Sequence, residues 1–190
     1  MIKIHWKKSI FTLLALLPAI CVAAVPVWKI VPNQSSLTFT ATQNDAPVTG
    51  QFKKFTGDIN FDPQQLTANN VKIVIDMSSI TDPYNQLSDT LKESDWFDVK
   101  KYPQAVFQST EFIKTGDKTY QSKGNLTIRD KTLPVTLVFT QQEYTPTKAV
   151  IKGSTTVKRT AFGVGQGQWA DTNAVKDDVQ INFTITAVTQ

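Results

Sequence analysis

The chain carries one cysteine and one histidine, Cys21 and His5, and both fall within the first 24 residues. Those two side chains decide which chemistries are open. Thiolate nucleophiles, imidazole bases, Ser-His-Asp triads, disulfides and His-ligated zinc or haem each need one or the other. Beyond residue 24 only carboxylates, lysines, tyrosines and all-oxygen metal sites remain. The carboxylates group at Glu93, Asp95 and Asp98 and at Asp177-Asp178. A calcium loop needs alternating oxygen ligands around a turn glycine, whereas Ser94-Asp95-Trp96-Phe97-Asp98 has bulky apolar residues in its middle. A glycosidase needs two carboxylates at a set separation, and sequence alone cannot place such a pair. The expectation is no catalytic residue and no metal. Among the basic residues, Arg159 stands just before Phe162-Gly163. Its planar fork of donors suits a phosphate or carbonyl group; bridging strand-end carbonyls or a carboxylate is the structural alternative. Arg129, Lys131 and Lys158 are lesser candidates, with solvated surface charge as the default. Asn125-Leu126-Thr127 matches a glycosylation acceptor, which matters only in a eukaryotic secretory host.

The N-terminus sets the context. Lys3, Lys7 and Lys8 flank an apolar run from Ser9 to Ile20, and Val22-Ala23-Ala24 offers small residues for a cut after Ala24. That is the pattern of a secretory signal peptide, and the run is shorter than the roughly 20 residues that span a bilayer. Residues 1–24 are expected to be a signal peptide and residues 25–190 one domain. The whole chain has 190 residues, 41% of them apolar, and a net charge of +4. Without the signal, 17 basic face 16 acidic side chains, so the basic balance belongs to the N-terminus and is no argument for nucleic acid. An exported domain without disulfides must fold on its core. At this length about 70% of the unfolded surface is buried, which suffices.

The elements that would position these residues read as strands. Ser36–Thr42 alternates with Leu37, Phe39 and Ala41 on one face, and Val71–Asp76 with Val71, Ile73 and Ile75. Asn125–Arg129, Thr132–Thr140 and Val179–Val188 repeat the pattern, the last with Val179, Ile181, Phe183, Ile185 and Ala187 in step. A Thr- and Lys-rich opposite face favours antiparallel sheet with one face in water. Asp62-Pro63, Asp82-Pro83, Thr115-Gly116-Asp117, Arg129-Asp130-Lys131 and Thr145-Pro146 punctuate the runs at hairpin spacing. Eight or nine strands are expected. One helix is expected over Asn85–Glu93, where Leu87 and Leu91 share a face. Phe162–Lys176 is irregular, with Gly163, Gly165 and Gly167. Such strands can close into a barrel or pack as a two-sheet sandwich; short connections favour neighbours pairing in chain order, and an eight-stranded barrel would have an interior that is either filled or holds one small ligand. The 11 phenylalanines suit a packed core or an apolar cavity lining equally.

The order of motifs is more specific. Trp28-Lys29-Ile30, Ser36-Leu37-Thr38-Phe39, Gly50-Gln51-Phe52 and Thr56-Gly57-Asp58-Ile59-Asn60-Phe61-Asp62-Pro63 are followed by Val74-Ile75-Asp76-Met77-Ser78-Ser79-Ile80. Then come Lys92-Glu93-Ser94-Asp95-Trp96-Phe97-Asp98, Tyr102-Pro103-Gln104-Ala105-Val106-Phe107, Gly124-Asn125-Leu126-Thr127-Ile128-Arg129 and Arg159-Thr160-Ala161-Phe162-Gly163-Val164-Gly165. From Trp28 to Val188 the series resembles the YceI-like family of exported bacterial polyisoprenoid-binding proteins. The resemblance implies an all-β fold: an extended antiparallel eight-stranded lipocalin-like barrel with one or two short helices. It also implies a periplasmic location and an apolar tunnel for an isoprenoid lipid such as ubiquinone or polyprenyl phosphate, with no covalent cofactor. Many members carry a histidine on the early strand, where this chain has Gln43 and Asn44. The Asp95-Trp96-Phe97 and Gly163–Trp169 wording is similar to members associated with inner-membrane cytochrome b561-type proteins, which would make such a protein a partner. A monomer and a homodimer are both compatible with the sequence.

On that reading the apolar faces line a tunnel: Phe39, Ile73, Ile75, Phe107, Leu126, Ile128, Leu137, Phe139, Ile181 and Phe183, with about half expected to touch ligand. Phe162 is a further ligand contact, Arg159 the head-group candidate, and Leu87, Leu91, Trp96 and Phe97 a helical cap over one end. A tail burying about 500 Å² would gain on the order of 10 kcal/mol before ordering costs.

Overall fold

Strands with apolar side chains at every second position each have one face to bury, and a row of them can bury all those faces at once by closing into a ring. The computed structural model describes residues 24–83 and 86–190, and there the chain takes that solution. The strand segments are β1 (Val27–Ile30), β2 (Ser36–Gln43), β3 (Ala46–Phe52), β4 (Phe55–Asn60), β5 (Asn70–Asp76) and β6 (Ile80–Thr81). They continue with β7 (Gln104–Lys114), β8 (Thr119–Ile128), β9 (Lys131–Tyr144), β10 (Lys148–Lys158) and β11 (Asp178–Thr189). Neighbours pair antiparallel throughout. The first six segments join end to end as three long strands, broken at Pro32–Gln34, at Lys53-Lys54 and at Met77–Ser79. Counted this way the wall is a closed eight-stranded antiparallel barrel, shut where β11 meets both β1 and β2.

The expected strands lie within β2, β5, β8, β9 and β11, most of them extended by a few residues. Arg129 is a correction: it leaves the strand and takes a left-handed φ of 56° in the turn between β8 and β9. Asn44 and Asp45 likewise turn the β2–β3 hairpin at φ 47° and 59°, as a two-residue turn matched to strand twist requires. The helix α1 runs over Gln86–Lys92, inside the expected window. Residues 1–23, which hold nearly all of the expected signal peptide, lie outside the described residues.

Inward positions alternate large and small. Phe39 stands opposite Gly50 across β2–β3, and Phe183 opposite Gly153 across β11–β10. A Cβ at Gly50 would lie 2.5 Å from Phe39 Cζ, and one at Gly153 would lie 2.5 Å from both Phe183 Cζ and Val138 O. Each ring therefore lies flat over a missing side chain, against the wall instead of across the barrel. One end is stoppered by aromatics. Phe61 meets Phe112, Tyr120 and Phe139 at ring separations of 5.5, 5.9 and 6.0 Å, and Trp28 Nε1 donates to Phe61 O at 2.9 Å. At the other end α1 and the loops around Trp96 and Phe162 cover the barrel.

Overpacking of this kind costs about 1–3 kcal/mol. Gly153→Ala is expected to lower stability by that amount, read as a drop in denaturation midpoint with an unchanged denaturant slope, because backbone as well as ring must yield.

Candidate functional site

The barrel encloses two apolar spaces in series. A wide chamber of about 920 Å³ lies under α1 and the 160–176 loop, and a narrow one of about 160 Å³ lies toward the aromatic stopper. Leu37, Ile75, Leu126 and Ile181 line both, so the two spaces adjoin along the axis. All fifteen residues expected in the tunnel lie on its walls. Phe39, Leu87, Leu91, Trp96, Phe97, Ile128 and Phe162 belong to the wide chamber. Ile73, Phe107, Leu137, Phe139 and Phe183 belong to the narrow one, and Ile75, Leu126 and Ile181 to both. Many of them are at the same time buried members of the two hydrophobic clusters, Phe39, Phe107 and Leu126 in one and Phe139 and Phe183 in the other, so core and cavity wall are the same residues. Sequence reasoning missed Phe52, Met77, Val164, Trp169 and Val175 in the wide chamber and Phe55, Phe61 and Phe112 in the narrow one. Phe52 and Phe61 stood in quoted motifs; Val164, Trp169 and Val175 sit in the irregular loop, where no periodicity marks a facing side.

The polar side chains concentrate in one part of the wall, with Ser122 and Thr155 alone in the narrow chamber. Gln43, Thr49, Asp82 and Thr90 line the wide chamber from the β2–β3 hairpin and the α1 region, and exposed Pro47, Thr49, Pro83 and Thr90 mark where it meets solvent. Asp82 accepts from Ser88 N at 2.7 Å and so anchors the first turn of α1. Two buried polar atoms at the lumen have no hydrogen-bond partner, the Trp96 indole N–H and the Ser122 hydroxyl.

Arg159, expected at the head group, is placed otherwise. It is 4% exposed, and all five of its N–H donors go to backbone carbonyls. Nε donates to Lys176 O at 3.2 Å, one terminal nitrogen to Val164 O and Gly165 O at 3.1 and 3.2 Å, and the other to Asp171 O and Val175 O at 3.2 and 2.8 Å. Its guanidinium also lies over the Trp96 ring. Burial lowers its pKa and nearby Asp177 and Asp171 partly restore it. Arg159 is thus the hub that folds the 160–176 loop into a cover. Gly163 and Gly165, at φ 70° and 78°, let the loop turn back on it. The loop is also sewn to the end of β2 by Asn44 N to Ala174 O and Lys176 N to Thr42 O. Arg129 is spent similarly: it donates to Ser94 O at 2.8 Å and to Trp96 O, and lies over the Tyr102 ring. Lys158 is exposed and pairs with Asp178 at 2.8 Å, and Lys131 pairs with Asp130 at 3.5 Å. Asp95 supplies its carbonyl to Gly165 N and Gln166 N. Among the described residues no cluster of three metal-ligating side chains occurs.

Leaving several buried carbonyls without donors costs on the order of 3 kcal/mol. Arg159→Met is expected to lose about that much stability and to speed amide exchange across 160–176 more than elsewhere. Asp177 gives the loop a pH dependence. Burial alone would raise its pKa, but the Thr160 backbone and hydroxyl donors, Lys158 and Arg159 together lower it. Its contribution is therefore complete above the ordinary value of 3.8 and fades as pH falls below it; exchange at Thr160 should rise only in that acid range, and Asp177→Asn should flatten the rise.

Comparisons with known proteins fit this geometry. A family model described as "YceI-like domain" matches residues 28–187. A UPF0312 protein of Pseudomonas putida is 29% identical over 137 residues, 70% of this chain and 71% of that one. A UPF0312 protein of Vibrio cholerae is 30% identical over 90 residues, so the chain spans about half of that relative's length (48%). Among solved structures, BcnA of Burkholderia cenocepacia superposes with a TM-score of 0.79 at 34% identity, covering 83% of this chain and 98% of that one. A polyisoprenoid binding domain from Saccharophagus degradans, implicated in plant cell wall breakdown, shares the fold at a TM-score of 0.70 and 14% identity, covering 87% and 99%.

Proposed function

Because the chain belongs to the YceI-like family, we propose that it binds one long-chain isoprenoid lipid in its lumen, and that it carries or sequesters that lipid in the periplasm after losing residues 1–24. The observation that supports this most is that two apolar chambers lie in series and share the walls formed by Leu37, Ile75, Leu126 and Ile181. An elongated apolar tube with polar groups at one end matches a molecule with a hydrocarbon tail and a small polar head. The tail would run toward the aromatic stopper and the head would rest in the wide chamber.

The head group we propose is an uncharged one, a quinone rather than a phosphate. Among the described residues, the ionisable side chains lining the chambers are Asp82 and Arg159. The first is an anion, and the second has no N–H free. A phosphate would be desolvated beside them without compensating donors, at a cost of several kcal/mol. A carbonyl head needs only one or two donors, and the unpartnered Trp96 indole N–H is one such donor.

Native mass spectrometry of protein purified from the periplasm, followed by solvent extraction, tests the reading. One isoprenoid quinone per chain is expected; protein that is empty and takes up no added quinone would overturn it. Ile128→Glu in the wide chamber and Phe183→Glu in the narrow one should each cut retention at least tenfold. Val27→Glu, at an outer position that is 47% exposed, should leave it unchanged.

A further inference from the structure

One stretch of the barrel wall is not laddered. Pairing between β9 and β10 runs from Ala149↔Tyr144 to Ser154↔Val138 and stops there, although β9 extends on to Lys131 and β10 to Lys158. The strands themselves do not fray. β9 stays in register with β8 as far as Ile128↔Lys131, and β10 with β11 as far as Lys158↔Asp178. Two well-held strands therefore part company along residues 131–137 and 155–158. Pro134, in the parted stretch of β9, has no N–H to offer a ladder and suits an unpaired edge. A single side-chain bond crosses the parting, from Thr155 Oγ1 to Thr136 O at 3.0 Å.

A cleft of about 520 Å³ fills the parting, lined by both strand edges and by Phe162. Its walls are shared with the lumen: Phe162 and Val157 also line the wide chamber, and Val135 and Thr155 the narrow one. Phe162 is 2% exposed and stands between cleft and chamber on the turn that ends at Gly163.

We propose that this parting is a lateral opening of the lumen, with Phe162 as its inner gate, through which an apolar chain moves sideways into and out of the wide chamber. This rests on the lipid-binding reading above. Between fully paired strands, such as β7–β8 or β10–β11, a passing chain would have to break a run of ladder hydrogen bonds at about 1 kcal/mol net apiece. Here none stands in the way, and only side chains must turn aside. Sideways passage also spares a long branched chain from threading end-on past the polar rim.

A bridge across the parting tests it. Thr136 and Thr156 are exposed and would face each other if the register of Ser154↔Val138 ran on. In a Cys21→Ala background, Thr136→Cys and Thr156→Cys are joined by a short bismaleimide. Uptake and release of a two-unit isoprenoid benzoquinone from phosphatidylcholine vesicles are then timed. Both rates should fall at least tenfold on bridging with equilibrium occupancy unchanged, and Phe162→Ala without a bridge should exchange several-fold faster. Equal rates in bridged and unbridged protein would overturn the opening while leaving lipid binding intact. No uptake by the unbridged protein would overturn the lipid-binding reading, and the opening with it.

Discussion

Everything in this fold hangs on one edge of β11. That edge takes β1 at one end and β2 at the other, and only because it accepts both does the sheet close into a ring. The break between β1 and β2 is itself bridged. Val31 N and the Ser35 hydroxyl donate to Thr186 O, Thr186 N donates to Ser35 Oγ, and the Thr186 hydroxyl donates to Gln34 O. Thr186 is buried, so these bonds are shielded from competition with water. The chain ends its last strand by stitching its first one shut. The contrast with the parted β9–β10 edges is instructive: the same molecule spends side-chain hydrogen bonds to seal one discontinuity and leaves the other held by one.

Closure creates the lumen, but the choice of residues keeps it open. A ring of eight strands is narrow enough for side chains to fill. Here the phenylalanines that would fill it lie flat over glycines on the neighbouring strand, as Phe39 does on Gly50 and Phe183 on Gly153. Bulk is concentrated at the ends instead, in the Phe61 cluster below and in α1 with its loops above. The covering loop has almost no regular structure, and a buried cation satisfying its carbonyls takes the place of a helix or sheet ladder.

Much of this was legible in the sequence because period-two alternation reports burial directly. Leu37–Phe39, Ile73–Ile75 and Ile181–Phe183 declared their faces, and the spacing of Leu87 and Leu91 declared the helix. β10 was harder to read: Gly153, Ser154, Thr155 and Thr156 give no apolar rhythm, since a glycine under a ring and hydroxyls at a parted edge do not look like a core face. For Arg159 the sequence offered two readings, a ligand head group or backbone carbonyls, and the second is what the structure shows. Which carbonyls it meets depends on how the 160–176 loop folds around it, and nothing local encodes that. For the tunnel residues the types are the same whether the space between them is filled or empty, so the sequence marked their inward faces without saying whether a cavity lies between them.

The tryptophans fall at the two ends of the lumen. Trp28 lies 5.4 Å from Tyr144 beside the aromatic stopper, and Trp96 lies 5.5 Å from Trp169 in the wall of the wide chamber. A quinone is an electron-poor absorber that quenches indole emission at short range. With a quinone bound as proposed, the described tryptophans would form an optical depth gauge: light lost from the Trp96–Trp169 pair would report a head group at the wide end, while Trp28 would stay bright unless something had slid to the bottom.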